Sequence, residues 1–102
     1  FYSPPAQMKA VIDRAQATYV RKHLLGQDLD RGGRKGGFIG VGGTSGARLF
    51  DGTRLMLRYF FDAIGVTYTE ELLLRGVDKK GEVKNHPTAL SDACALGEKL
   101  AV

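Results

Sequence analysis

A glycine-rich segment in the middle of the chain has the composition of a ligand-binding loop. Residues 36–46 read GGFIGVGGTSG, so a short apolar stretch gives way to glycines and small hydroxyl residues. In an open α/β sheet, ligands bind where the carboxyl ends of parallel strands open onto a crevice. Glycine lets the backbone approach a flat or anionic ligand, and free N–H groups can donate to it. The pattern predicts either such a site or a tight connection without a ligand.

Two better-known glycine motifs do not fit this loop. A Walker phosphate loop has a lysine after its last glycine, whereas Gly46 is followed by Ala47 and Arg48. The dinucleotide pattern G-x-G-x-x-G fits at its first two glycines but has Ser45 in place of the third. Arg48 and Arg54 could contact a cofactor phosphate, although arginines beside a helix start are more often surface residues.

The other reactive side chains form no metal or nucleophile pattern. His23 and His86 lie far apart in sequence without matching carboxylate or cysteine spacing, so no metal site is expected. The single cysteine, Cys94, excludes an internal disulfide and a cysteine-built metal site, and it favours a reducing, cytoplasmic location. Because it lies between two alanines on a helical stretch, a buried packing role is favoured over a nucleophile.

The composition describes one small globular domain. The 102 residues are 43% apolar and 25% charged, and no apolar run approaches the length of a membrane span, about 20 residues. The net charge is +4, and its densest cluster contains Arg31, Arg34 and Lys35. Such a cluster could meet nucleic acid or a phosphorylated cofactor, but a solvated loop is favoured. No aromatic residues alternate with it, so a nucleic-acid partner is not expected.

The periodicity predicts the order helix, strand, helix, strand, helix. The first helix should run from Gln7 to near Leu25, with Ser3 as a candidate cap and Gly26 as its stop. A strand is predicted around Phe38–Val41, followed by a helix from about Phe50 to Ile64 that ends at Gly65. The second strand should cover Val66–Leu74, with a bend or an edge position at Glu70 and Glu71. A last helix should be capped by Asn85 or His86, with Pro87 in its first turn.

Alternating elements with helix-sized connections imply parallel strands and right-handed crossovers. On the second helix Met56, Leu57, Phe60, Phe61 and Ile64 form an apolar stripe. The last helix should bury Leu90, Ala93, Leu96, Gly97 and Leu100, with Gly97 packed closely on the sheet. Two strands cannot cover three amphipathic helices, so we expect further strands elsewhere or association with a partner.

Three segments, in the right order, resemble the flavodoxin-like NAD(P)H-dependent FMN reductases. Residues 1–14, FYSPPAQMKAVIDR, are similar to the segment after that family's third strand. GVGGTSG at 40–46 resembles the loop after its fourth strand, and GVDKKGEVKNHPTAL at 76–90 followed by LGEKLA resembles its closing turn and last helix. The resemblance covers essentially the whole chain. It implies a three-layer, flavodoxin-like α/β fold with a parallel sheet, of which residues 1–102 are the C-terminal portion.

The resemblance also implies a cofactor and the residues that would contact it. In the family, the loops after strands three and four hold the isoalloxazine ring of FMN. Carried over to this sequence, those loops are Phe1, Tyr2, Ser3 and Pro4, together with Gly42, Gly43, Thr44, Ser45 and Gly46. The first loop offers flat apolar contact and the second offers backbone donors. No side chain is needed as an acid or base.

The implied function is electron transfer from NAD(P)H through FMN to a quinone, flavin or similar acceptor. The family's first two strands, most of the third and the phosphate loop have no counterpart here, so we expect this chain alone to be inactive. An alternative is a non-catalytic fragment or interaction module that pairs through its exposed sheet edge. The expected partners are a second copy of the chain, as a homo-oligomer, or the missing N-terminal half.

Overall fold

The computed structural model describes residues 1–29 and 32–101. Arg31, from the predicted basic cluster, lies outside the described residues. The elements are helices α1 (Ala6–Arg14) and α2 (Gln16–Tyr19), a π-helical turn (Val20–Leu24), strand β1 (Lys35–Val41), helix α3 (Asp51–Ala63), strand β2 (Thr67–Leu74), a 3₁₀ turn (Glu82–Asn85) and helix α4 (Ala89–Ala101). The predicted order is confirmed, except that the first helix is broken at Ala15.

The two strands form a small parallel sheet, as predicted. Their register runs from Lys35 opposite Thr67 to Val41 opposite Leu74. Helix α3 connects them and packs on β2, while α4 packs on both strands. The described residues therefore form a mixed α/β structure in which both strands end at the same edge of the sheet.

A bulge in β2 changes which side chains share a face. Gly36 lies opposite Tyr68 and Gly37 opposite Glu70, so Thr69 is an extra residue in β2. Residues three apart on a regular strand point to opposite faces, but across this bulge Tyr68 and Glu71 share one. The Tyr68 hydroxyl donates to Glu71 Oε2 at 2.6 Å. The irregularity predicted at Glu70 and Glu71 thus lies one residue earlier, and the strand continues through both glutamates.

The shared face lets Glu71 bind helix α3. Arg54 Nη2 lies 2.7 Å from Glu71 Oε1. Burial tends to raise the pKa of Glu71, but the hydrogen bonds from Tyr68 and Arg54 outweigh it and hold that pKa below its usual value. Burial and the bond to Glu71 raise the pKa of Tyr68 to about 12. Arg54 is therefore engaged in joining α3 to the sheet.

The core is small and lies between α3, α4 and the sheet. Its buried apolar side chains are Phe50, Leu57, Ala63, Leu74, Ala89 and Leu96. Of the stripe predicted on α3, only Leu57 is fully buried; the other members are half-buried. Helices α1 and α2 bury no residue, so the sheet leaves apolar faces uncovered, as predicted. No described helix has the length and apolar character needed to cross a bilayer.

The predicted cap of α1 is wrong, and His86 lies three residues before α4, although its Nδ1 accepts a hydrogen bond from Thr88 N at 3.2 Å. The residue that caps α1 is Pro5, and no side chain, including that of Ser3, makes a cap hydrogen bond. Helix α4 begins at Ala89, after Pro87, because His86 is extended (φ −70°, ψ 134°), as the residue before a proline prefers. The first helical hydrogen bond then runs from Asp92 N to the Thr88 carbonyl.

The predicted inner face of helix α4 is confirmed at Ala93, Leu96 and Leu100, which are buried or half-buried, and is wrong at Leu90 and Gly97. Ala89 and Leu96 are buried, which turns Leu90 outward with 63% of its surface exposed. A Cβ on Gly97 would meet nothing within 4 Å, so the expected close packing there is wrong. Cys94 is exposed rather than buried. Its sulfur lies on the outer side of the helix, 3.9 Å from Glu98 Oε1.

Candidate functional site

The loop after β1 continues the strand pairing beyond the sheet. Gly42 N donates to the Leu74 carbonyl at 2.9 Å, and Val77 N donates back to the Gly42 carbonyl at 3.0 Å. One step further, Gly76 N donates to the Thr44 carbonyl at 2.9 Å. The backbone after β2 therefore holds the glycine-rich loop from one side.

This hydrogen bonding leaves the loop rich in free donors. Among residues 1–29 and 32–101, no backbone acceptor is bonded to the N–H groups of Gly43, Thr44, Ser45 or Gly46. The carbonyl groups of Gly42, Thr44 and Gly46, by contrast, all accept hydrogen bonds. Alternate carbonyl groups of the loop are therefore occupied, whereas the N–H groups of residues 43–46 can donate to a ligand that carries hydrogen-bond acceptors.

The N-terminal segment lies against the same loop. Tyr2 has a φ of 59°, the left-handed region that a bulky residue rarely adopts. A Cβ atom added to Gly46 would lie 2.6 Å from the Tyr2 hydroxyl. A Cβ atom added to Gly52 would lie 3.3 Å from the Tyr2 carbonyl oxygen. Glycine at both positions is what allows Tyr2 to sit so close. The two segments that the family resemblance implies should meet are therefore neighbours at the carboxyl end of the sheet.

A cavity of about 500 Å³ lies where the two segments meet. Seven of the predicted residues line it, namely Phe1, Tyr2, Ser3, Pro4, Gly42, Gly43 and Thr44. Ser45 and Gly46 do not. Gly46 lies behind Tyr2, and Ser45 Oγ lies 3.5 Å from the position that a Cβ on Gly76 would take. The cavity has the size usual for small-molecule and cofactor sites, roughly 300–1,000 Å³.

The rest of the lining is mostly apolar and was missed in the sequence. It consists of Pro5, Met8, Phe38, Ile39, Gly40, Val41, Leu49, Phe50 and Thr53. Phe38 and Phe50 pack edge to face with ring centroids 6.2 Å apart. Two signals could have found part of this set: the alternation of Phe38 and Gly40 along the strand, and the i,i+3 spacing of Phe50 and Thr53 at the start of α3.

The lining suits a flat ring and does not suit a phosphate group. No lysine, arginine or histidine side chain among the described residues lines the cavity. The two arginines considered for a phosphate are engaged elsewhere: Arg48 Nε lies 3.2 Å from Asp51 Oδ2 with an 86% exposed side chain, and Arg54 binds Glu71. The residues therefore fit the isoalloxazine part of FMN, whereas its phosphate would lie outside this cavity.

The cavity also follows the unpaired edge of β1. Four consecutive strand residues, 38–41, line it. Successive strand residues point to opposite faces, so all four can reach one cavity only along the edge of the strand. In the described part of the chain β1 pairs with β2 alone, and no strand pairs with the other edge of residues 38–41.

At the opposite, amino end of the sheet, polar groups are paired with one another. Lys22 Nζ donates to Asp62 Oδ1 at 2.9 Å, and His23 Nε2 lies 2.8 Å from Asp62 Oδ2. The hydrogen bond from Lys22, opposed by burial and assisted by His23, lowers the pKa of Asp62. Arg34, from the predicted basic cluster, donates to the carbonyl groups of Leu29 and Ile64 at 2.9 and 2.7 Å.

Comparison of the chain with protein-family models, with curated proteins and with solved structures finds no match. Within the described residues, no three histidine, cysteine, aspartate or glutamate side chains cluster in a way that could hold a metal ion. The cavity geometry is therefore the feature on which a function can be argued.

Proposed function

We propose that this chain is the C-terminal part of a flavodoxin-like domain in an FMN-dependent oxidoreductase. The observation that supports the proposal best is the meeting of residues 1–4 with residues 42–44 around one apolar cavity. This cavity lies at the carboxyl end of two parallel strands, where open α/β sheets bind ligands. When bound, FMN would supply the redox chemistry, accepting hydride from NAD(P)H and passing electrons to a quinone, flavin or similar acceptor.

The chain's own part would be to bind and orient the ring. The apolar surface of the lining includes Phe1, Tyr2, Pro4, Phe38 and Phe50. The free N–H groups of Gly43 and Thr44, which line the cavity, would donate to the ring's carbonyl oxygens and nitrogens. Hydrogen bonds of this kind tune the electron affinity of a flavin as well as its position.

Because the lining lacks a cation, the phosphate of FMN should contribute little to its affinity for this chain. We therefore expect riboflavin, which has the same ring without the phosphate, to bind about as tightly as FMN, within roughly threefold. Quenching of flavin fluorescence on titration with the full chain measures both affinities. If neither compound binds, or if only the phosphorylated one binds, the proposal is wrong.

A second candidate function is assembly with another chain along the free edge of β1. Ile39 and Val41 on this strand are 49% and 53% exposed, which is unusual for a parallel strand. An added strand would satisfy the unpaired backbone groups of the edge and cover these side chains. Sedimentation equilibrium tests this function. Assembly predicts an oligomer that Val41→Lys disrupts, and a monomer at all concentrations would exclude self-assembly.

A further inference from the structure

Arg75 joins the glycine-rich loop to the wall of the cavity without lining the cavity. It directly follows β2, and its Nε donates to the Gly46 carbonyl at 3.0 Å. Its Nη2 donates to the Ala47 carbonyl at 3.2 Å. The guanidinium carbon also lies 5.2 Å from the centroid of the Phe50 ring, within the range of a cation–π contact.

These bonds complete an alternating series along the loop. The carbonyl groups of Gly42 and Thr44 accept from the backbone N–H groups of Val77 and Gly76. The next carbonyl in the series, that of Gly46, accepts from the Arg75 side chain. The chain after β2 thus holds every second carbonyl of the loop, and the side chain supplies the third contact.

Holding the carbonyls also orients the N–H groups. In a trans peptide unit, the N–H of one residue points opposite to the carbonyl of the residue before it, and the described residues contain no cis peptide bond. With the carbonyls of 42, 44 and 46 turned toward the segment 75–77, the N–H groups of 43, 45 and 47 are turned away from it, and of these three residues only Gly43 lines the cavity. None of these N–H groups has a backbone acceptor within the described chain.

We propose that Arg75 is a positioning residue, which holds the end of the glycine-rich loop and the ring of Phe50 in place at the wall of the flavin cavity. This inference rests on the proposed function. Arginine suits the role because its planar fork can reach two carbonyls at once while its face packs on an aromatic ring. Lysine keeps the charge but can neither bind both carbonyls in a fixed geometry nor stack on Phe50.

The test compares Arg75→Lys with Arg34→Lys in the full chain, with riboflavin as the probe. Arg34 is a matched control because it also donates to backbone carbonyls, those of Leu29, Ile64 and Gly65, but at the other end of β1. We expect Arg75→Lys to weaken riboflavin binding about tenfold, the order of effect of losing a charge-assisted hydrogen bond. Arg34→Lys should change it less than about twofold, while the two variants lose similar thermal stability.

A second measurement follows the loop without a ligand. Leu49 N donates to the Gly46 carbonyl, so exchange of the Leu49 amide hydrogen should be faster in Arg75→Lys and unchanged in Arg34→Lys. Equal riboflavin affinities in the two variants would overturn the role of Arg75. If the unsubstituted chain binds no riboflavin, the proposed function fails. In that case, faster exchange of the Leu49 amide in Arg75→Lys but not in Arg34→Lys would still support the anchoring of the loop. Equal exchange in the two variants would overturn it.

Discussion

The two ends of the sheet differ in how far their backbone polar groups are hydrogen-bonded within the chain. At the amino end, side chains bind the groups that the elements leave free: Arg34 takes the carbonyl groups of Leu29 and Ile64, and Lys22 pairs with Asp62. At the carboxyl end, the donors of residues 43–46 have no backbone partner in the described chain, and an apolar cavity lies beside them.

This difference indicates which end of the sheet can bind a ligand without breaking hydrogen bonds of the protein. A hydrogen-bonded end must break its own contacts to accept a ligand, whereas an end with free donors can gain hydrogen bonds without breaking any. An arginine donates to backbone carbonyls at each end of the sheet, but the two contacts have different consequences. Arg34 satisfies the end of α3, and Arg75 holds a loop whose donors remain free. We therefore expect changes at the amino end to affect stability alone and changes at the carboxyl end to affect flavin binding as well.

The largest contrast should come from adding a side chain to each end of β1. A Cβ on Gly40 would be 2.7 Å from Phe38 Cζ and 2.8 Å from Phe50 Cε1, whereas one on Gly36 would be 2.8 Å from Val66 Cγ1. We expect Gly40→Val and Gly36→Val each to cost about 1–3 kcal/mol of unfolding free energy through overpacking. Only Gly40→Val should displace the cavity wall and weaken riboflavin binding more than about tenfold. Urea unfolding and fluorescence titration measure the two effects. Equal losses of binding would remove the distinction between the ends.

A smaller contrast uses one added methyl group. A Cβ on Gly46 would lie 2.6 Å from the Tyr2 hydroxyl, so Gly46→Ala must move that phenol. We expect riboflavin affinity to fall about threefold. The matched change is Gly97→Ala, where the methyl meets nothing within 4 Å on an exposed helix. This variant should gain about 0.5–1 kcal/mol of stability from helix propensity and keep its affinity. A Gly46→Ala chain with unchanged affinity would show that Tyr2 does not matter to the site.

The smallest effect concerns pH at the amino end. The pKa of Asp62 is lowered from 3.8, chiefly by its bond from Lys22. A carboxyl group whose pKa is lowered in the folded state stabilises the fold when the pH is above its ordinary pKa. This stabilisation is lost as the pH falls through the lowered, folded-state pKa. Because the pair is half-exposed, Asp62→Asn should cost at most about 1 kcal/mol at neutral pH. The difference from the unsubstituted chain should shrink toward zero below pH 3.8. A difference that does not change with pH would exclude the ionic contribution, and riboflavin affinity should be unaltered throughout.

The order of elements and the parallel sheet could be predicted because both depend on local patterns. Apolar periodicity distinguishes α3 from β2, and positive-φ glycines such as Gly65 and Gly81 mark where elements end or turns form. The position of the glycine-rich loop at the carboxyl end of the sheet follows from the topology once the strands are parallel, whereas the position of residues 1–4 beside it was implied by the family resemblance. The residues that line the cavity at 1–4 and 42–44 could therefore be anticipated, whereas their binding of a flavin stays a prediction.

What could not be predicted depends on register and on contacts distant in sequence. The extra residue Thr69 moves Glu71 to the face of Tyr68, and nothing in the local pattern marks a bulge there. The outward position of Cys94 depends on the rotation of α4, which packing against the sheet decides. Arg75 lies 29 residues from the carbonyl that it binds, so its role becomes visible only when β2 is paired with β1.

The most direct test of a flavin site at the carboxyl end is a riboflavin titration followed by backbone amide spectra of the uniformly ¹⁵N-labelled chain. A flavin site at the carboxyl end predicts that the amide signals of Gly43 and Thr44 shift as riboflavin binds, while those of Gly36 and Thr67 at the amino end stay in place. Shifts confined to the amino end, or no shifts at saturating riboflavin, would contradict it.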